Sequence, residues 1–214
     1  MTHVKICGIT NAADARAACE LDAFALGFNF YEKSKRVVSP ADAWSIRRRL
    51  PPSVEAVGVF VNWVPGAVIA LVGALQLGAA QLHGDESVAQ VNSCAKSVNT
   101  IKAFRIDRKF SPKKFAAYRS ASAFLLDGAQ SGEYGGTGKV TDWTIAREAA
   151  RSHRIFLAGG LTPENVREAI RMVRPYAVDV ASGVESRPGK KDRGKLREFF
   201  AEVERANNDL SGAA

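Results

Sequence analysis

Cysteine, histidine and long apolar runs are scarce in this chain, and each scarcity removes a class of protein. The three cysteines, Cys7, Cys19 and Cys94, are odd in number and far apart. Neither a disulfide framework nor a zinc knuckle is expected from them, and a reduced, cytoplasmic setting is. His3, His83 and His153 stand singly, with no His-x-x-x-His spacing, so no metal site is expected. The longest apolar stretch, 64–80, is interrupted by Pro65, Gln76 and several glycines and is too broken to span a bilayer. The first residues run straight into a strand-like Val4-Lys5-Ile6, without the basic start and long apolar core of a secretion signal. No linker, repeat or low-complexity segment divides the chain.

What remains is globular. With 46% hydrophobic and 24% charged residues in 214, the chain can bury a core without covalent staples. The length admits one α/β barrel or two small domains. The formal net charge of +8 fits either a nucleic acid or an anionic small molecule as partner. The cations are scattered, as in Arg47–Arg49, Lys113-Lys114 and Lys190-Lys191, and no stretch interleaves them with aromatics. An anionic small-molecule substrate is therefore expected, with no nucleic-acid or membrane partner.

Short β-rich runs alternate with amphipathic segments. Strands are expected at 4–7, 25–30, 56–61, 79–82, 100–104, 123–126, 155–158 and 177–180. Helices are expected at 12–21, 41–50, 66–75, 86–95, 112–119, 142–151, 164–173 and 195–206. Thr10-Asn11 supplies a helix cap, and Ser39-Pro40 and Thr162-Pro163 pair a capping hydroxyl with proline at the first helical position. Repeated β–α alternation implies parallel strands with right-handed crossovers. Eight units in a chain of this length fit a single-domain (β/α)8 TIM barrel over 1–206, with 207–214 a frayed tail. A doubly wound open sheet is the alternative, but it is normally announced by a Gly-rich turn after strand one, where this chain reads Cys7-Gly8-Ile9-Thr10.

A barrel of this kind carries its chemistry at the C-terminal ends of its strands. Cys7, Asn29, Asn62, His83, Arg105 and Asp127 stand there, with Arg36 in the loop beyond strand two. Gly159-Gly160 and Ser182-Gly183 are strand-to-helix turns whose backbone N–H groups suit a phosphate, in the positions where barrels often bind one. Cys7 is either a small buried hydrophobe or a reactive thiol. Period-two alternation puts Lys5 on its face, and that ammonium is expected to favour the thiolate. Asp127 is either a turn aspartate or an acid–base group. Gly132-Glu133-Tyr134-Gly135-Gly136-Thr137-Gly138-Lys139 fails as a Walker loop, because Glu133 and Val140 stand where Gly and Ser or Thr are required. It reads as a loop that closes over substrate.

In order along the chain, several motifs resemble the phosphoribosylanthranilate isomerase family. They are Val4-Lys5-Ile6-Cys7-Gly8-Ile9-Thr10, Gly27-Phe28-Asn29-Phe30-Tyr31 with Ser34-Lys35-Arg36, Val57-Gly58-Val59-Phe60-Val61 and Gln81-Leu82-His83-Gly84-Asp85-Glu86. They continue through Leu126-Asp127, Tyr134-Gly135-Gly136-Thr137-Gly138, Ala158-Gly159-Gly160-Leu161 and Val180-Ala181-Ser182-Gly183-Val184-Glu185. The resemblance implies an Amadori rearrangement of N-(5-phosphoribosyl)anthranilate, without metal or cofactor, by a monomer or homodimer. It implies Asp127 as general acid, Cys7 as general base, Arg36 as clamp for the anthranilate carboxylate, and Gly159, Gly160, Ser182 and Gly183 as phosphate site, with His83 among the substrate-binding residues. Lys35 and Asn29 depart from the family's usual proline and apolar residue. Neighbouring phosphosugar barrels fit less well. The aminoaldose isomerase of histidine synthesis is expected to carry aspartate where this chain has Cys7, and indoleglycerol-phosphate synthase uses lysines and an added N-terminal segment. A basic binding protein on a catalytically dead barrel is disfavoured by the presence of both Cys7 and Asp127.

Overall fold

A computed structural model describes residues 1–106, 110–128 and 142–212. Eight parallel strands close into a barrel in sequence order. They are β1 (His3–Cys7), β2 (Ala25–Asn29), β3 (Glu55–Phe60), β4 (Ala79–Leu82), β5 (Asn99–Ile106), β6 (Ala123–Gly128), β7 (Ile155–Leu157) and β8 (Ala177–Val180). Register from Val4↔Val178 to Ile6↔Val180 joins the last strand to the first. The helices α1 (Ala12–Cys19), α2 (Pro40–Arg47), α3 (Pro65–Ala74), α4 (Val88–Ala95), α5 (Trp143–Ala150) and α6 (Pro163–Val173) supply all the connections between strands but one, and α7 (Arg193–Ser211) follows β8. Between β5 and β6 the crossover is a 3₁₀ helix, Pro112–Tyr118. Its one buried side chain, Phe115, stacks on Phe124 at 4.6 Å. No helix among the described residues is long and apolar enough to cross a membrane.

The caps that the sequence advertises close the helices. Asn11 accepts from Asp14 N at 2.9 Å and Ser39 from Asp42 N at 3.1 Å, each worth about 1 kcal/mol. The C-terminus departs from expectation. Residues 207–211 are not frayed, because α7 runs on to Ser211. Asn207 accepts from Thr2 N at 2.7 Å and donates to Thr2 O at 3.1 Å, while Arg167 grips Asp209 with two bonds of 3.0 and 3.2 Å. The two chain ends thus satisfy each other's polar groups.

Strand alternation sorts side chains into two layers. Outward-facing Ile6, Leu26, Phe28, Phe60 and Leu126 pack with helix residues such as Ala15, Val166, Leu196 and Phe199 in one large cluster. Each such Leu or Phe contributes about 1.5–3 kcal/mol by leaving water. Inward-facing Ala25, Val57, Ala79, Ile101, Ala123, Leu125 and Phe156 fill the barrel itself. The same parity carries Cys7, Asn29, His83, Arg105 and Asp127 to the inner edge at the C-terminal rim. A two-stranded ribbon, β9 (Glu185–Arg187) and β10 (Lys190–Lys191), lies beside that rim after β8.

Candidate active site

A cleft opens at the C-terminal end of the barrel. It is lined by Cys7, Arg36, His83, Asp127, Gly159, Gly160 and Ser182, so the structure gathers residues from positions 7 to 182 into one space. Gly183 is not part of the lining. It packs behind it, where a Cβ would lie 1.9 Å from Leu161 O, so only glycine lets the two turns meet. Asn29 and Asp179 also line the cleft, whereas Asn62 and Arg105 do not. Arg105 instead lines a neighbouring hollow with Lys102 and pairs with Asp85 at 2.5 Å.

Cys7 and Asp127 come from β1 and β6, on opposite walls. Lys5 favours the Cys7 thiolate, as its place on the same face predicts, but burial outweighs it. Burial pushes the thiol up, and although the Lys5 and Lys191 ammonium groups pull it down, the net direction is upward. Lys5 itself is held charged: burial opposes the ammonium, but Asp179 and Cys7 outweigh it. Asp127 Oδ2 lies 3.4 Å from His83 Nε2, which has no hydrogen-bond partner among the described residues and makes only a long contact with the carboxylate. His83 Nδ1 is 2.8 Å from the Gln81 amide nitrogen. With that amide donating, the neutral ring carries its proton on Nε2, towards Asp127.

Arg36 lies over the end of β1, where Gly8, at φ +74°, has no side chain to obstruct it; a Cβ there would come within 2.5 Å of Arg36 Cδ. Its Nε and Nη2 both donate to Glu185, at 2.8 Å each. The fork expected to face a substrate carboxylate thus already holds a protein carboxylate by one edge, which leaves the Nη1 edge for a ligand. Glu185 also accepts from Lys191 Nζ at 3.1 Å and from Gly189 N at 3.3 Å. Burial pushes the Glu185 carboxyl up, but Arg36 and Lys191 outweigh that and hold it below the ordinary value. Lys191 Nζ further donates to Cys7 O at 2.7 Å and Ala181 O at 3.0 Å, so one lysine ties the Arg36 clamp to the backbone of both β1 and the β8 turn.

The two glycine turns after β7 and β8 are tightly built. Gly159 and Gly160 sit at φ +84° and +63°, where L side chains are disfavoured. Asn165 donates to Gly160 O at 2.8 Å and accepts from Thr162 N at 2.9 Å, fixing the turn against the start of α6. Ser182–Val184 forms a short 3₁₀ helix after β8. Gly159, Gly160 and Ser182 line one side of the cleft, with α6 starting just beyond the first turn, an arrangement that can suit an anion.

Several buried ions around the site went unnoticed in the sequence. Lys102 donates to Glu86, Leu82 O and Gly84 O at 2.7, 3.2 and 2.8 Å, while Glu86 accepts from Asn62 N at 2.9 Å and from Gly84 N. That pair braces the β3 and β4 rims. Glu185 and Asp179 were visible only as letters within or beside motifs, and Lys191 only as surface charge. Among the described residues no three His, Cys, Asp or Glu side chains gather as metal ligands would. The glycine-rich segment 132–139 lies outside the described residues.

Residues 4–202 match the family model described as N-(5'phosphoribosyl)anthranilate (PRA) isomerase. The N-(5'-phosphoribosyl)anthranilate isomerase of Trichlorobacter lovleyi is 52% identical over 207 residues, covering 96% of this chain and 100% of the relative. The crystal structure of phosphoribosyl anthranilate isomerase from Thermotoga maritima superposes with a TM-score of 0.89 at 45% identity, covering 96% and 100% of the two chains. A further crystal structure, of the isomerase in complex with reduced 1-(o-carboxyphenylamino)-1-deoxyribulose 5-phosphate, gives a TM-score of 0.85 at 42% identity over 96% and 100%.

Proposed function

This chain belongs to the N-(5'-phosphoribosyl)anthranilate isomerase family and catalyses that isomerisation in tryptophan biosynthesis, and we propose that it does so by general acid–base catalysis with Cys7 as base and Asp127 as acid. Asp127 protonates the furanose ring oxygen. The C1–O bond breaks, and the nitrogen lone pair forms a Schiff-base cation. Cys7 takes the proton from C2, and the resulting enolamine tautomerises to the ketone. One group must hold a proton while the other lacks one, which needs two different environments.

The observation that carries this reading is that the two groups face one cleft from opposite walls, with the glycine turns and Arg36 also on its border. Gly159, Gly160 and Ser182 hold the phosphate, Gly183 lets their turns meet, and Arg36 receives the anthranilate carboxylate on its Nη1 edge. His83, beside Asp127, contacts the substrate near the ring oxygen. A solved relative is bound to reduced 1-(o-carboxyphenylamino)-1-deoxyribulose 5-phosphate, a ligand with a phosphate and a carboxylate, which supports a cleft with two anion subsites. All these residues come from one chain, so a monomer or homodimer working in the cytoplasm suffices. Fluorescence decay of phosphoribosylanthranilate tests the pair. Cys7→Ala and Asp127→Asn should each lower kcat by about 10²–10⁴-fold with KM little changed, and a variant retaining full kcat would remove its residue from the mechanism.

A further inference from the structure

A buried lysine stands directly beneath the proposed base. Lys5 is 0% exposed inside the barrel, and its Nζ donates to Asp179 Oδ1 at 2.8 Å. The contact is made by barrel closure, since Lys5 and Asp179 are register partners across β1 and β8. Cys7 leaves β1 two residues later on the same side. Gly27, its register partner on β2, leaves the space in which thiol and ammonium meet: a Cβ there would lie 2.8 Å from Cys7 Sγ and 3.2 Å from Lys5 Nζ. A methionine would fill the volume without charge, and an ammonium is costly in such a place unless it is paired.

We infer that Lys5, clamped by Asp179, is a positioning residue that lets Cys7 hold a negative charge in the cleft. The inference rests on the reading of Cys7 as base. In the step itself the C2–H bond breaks, an S–H bond forms, and the C–H electron pair becomes the C1=C2 double bond as the iminium nitrogen is neutralised. Lys5 stays protonated throughout and lends its field. The other charges facing Cys7 are Lys191 on β10, bonded to Cys7 O, and Arg36 in the loop after β2, both paired with Glu185. Three cations and two carboxylates then surround the thiol, leaving one net positive charge that works against the burial cost of a thiolate. Across the cleft stand His83 on the β4 loop and Asp127 on β6. Burial opposes the thiolate, Lys5 offsets burial more than any other group, and Asp179 partly undoes that help. The two members of the pair should therefore act on Cys7 in opposite directions.

The test is the pH dependence of Cys7 alkylation by iodoacetamide in the full-length protein, read as mass gain on the Cys7 peptide, beside the pH profile of kcat/KM. In Lys5→Met the alkylation midpoint and the acid limb should both rise by about one pH unit or more. Its kcat near neutral pH should fall roughly tenfold or more, with KM within about threefold. In Asp179→Asn the alkylation midpoint should fall. A merely structural role would move neither midpoint, and unchanged midpoints in Lys5→Met overturn the inference. Should Lys5→Met not fold, Lys5→Met/Asp179→Asn removes both charges at nearly constant shape. Its midpoint should still lie above the wild type, and one at or below the wild type overturns the inference. If alkylation shifts while the kcat/KM limb stays fixed, Lys5 tunes the thiol and it is the assignment of Cys7 as base that fails.

Discussion

Replacing Arg36 by methionine should weaken substrate binding much more than it slows chemistry. The guanidinium keeps one edge for the ligand because Glu185 occupies the other at 2.8 Å through Nε and Nη2. A hydrogen bond to a charged group contributes about 1.5–3 kcal/mol. At about 1.4 kcal/mol per factor of ten, KM should rise roughly 10- to 150-fold. The fold should tolerate the loss. Breaking a fully buried pair typically costs about 3–5 kcal/mol because a charge is stranded, but Glu185 retains Lys191 at 3.1 Å and Gly189 N at 3.3 Å. A stability loss nearer about 1–3 kcal/mol is expected. Steady-state kinetics from phosphoribosylanthranilate fluorescence give kcat and KM, and competition by inorganic phosphate gives the affinity of the other subsite. Phosphate affinity should stay within about threefold, since its donors are the glycine turns. Arg36→Lys should fall between, keeping the charge but not the fork. An unchanged KM in Arg36→Met would refute the carboxylate assignment.

Gly160→Asp should place a carboxylate among the phosphate donors at a backbone held at φ +63°. Loss of phosphate inhibition and a KM higher by roughly tenfold or more are expected, and normal affinity would move the phosphate elsewhere. Glu185 makes stability pH-dependent. Its folded pKa lies below the ordinary value, so its contribution is present above about pH 4.5 and lost as pH falls through the folded value. Chemical denaturation should show wild type losing stability below about pH 4.5 more steeply than Glu185→Gln, and parallel curves would contradict the ion-pair network.

The sequence made visible whatever depends on local pattern. Period-two alternation put Lys5 on the face of Cys7, the strand ends put Cys7, His83 and Asp127 at the rim, and Asn11, Ser39 and Thr162 marked helix starts that the structure keeps. Paired glycines after β7 were legible because a positive φ leaves few other residues. What was not legible depends on closure. Lys5 meets Asp179, and Arg36 meets Glu185, only because β8 returns beside β1, and nothing in either neighbourhood of the sequence announces the partner. The net direction of the Cys7 shift was not legible for the same reason. It is a sum of burial, one visible cation and two charges brought from the far end of the chain, Asp179 and Lys191. Residues 207–211 looked like a polar tail because the group that orders Asn207 is Thr2, at the other terminus.

Cys7→Ser separates a base from a space-filling side chain with the smallest change of shape. A hydroxyl is nearly isosteric with the thiol but far harder to deprotonate, so it cannot take the C2 proton near neutral pH. Measured by phosphoribosylanthranilate fluorescence decay, Cys7→Ser should lose about 10²–10⁴-fold in kcat, as Cys7→Ala does. KM should be little changed, and prior alkylation of the wild-type thiol should inactivate unless phosphate or product covers the site. A Cys7→Ser enzyme with wild-type kcat would leave proton abstraction at C2 without an agent on β1 and contradict the mechanism.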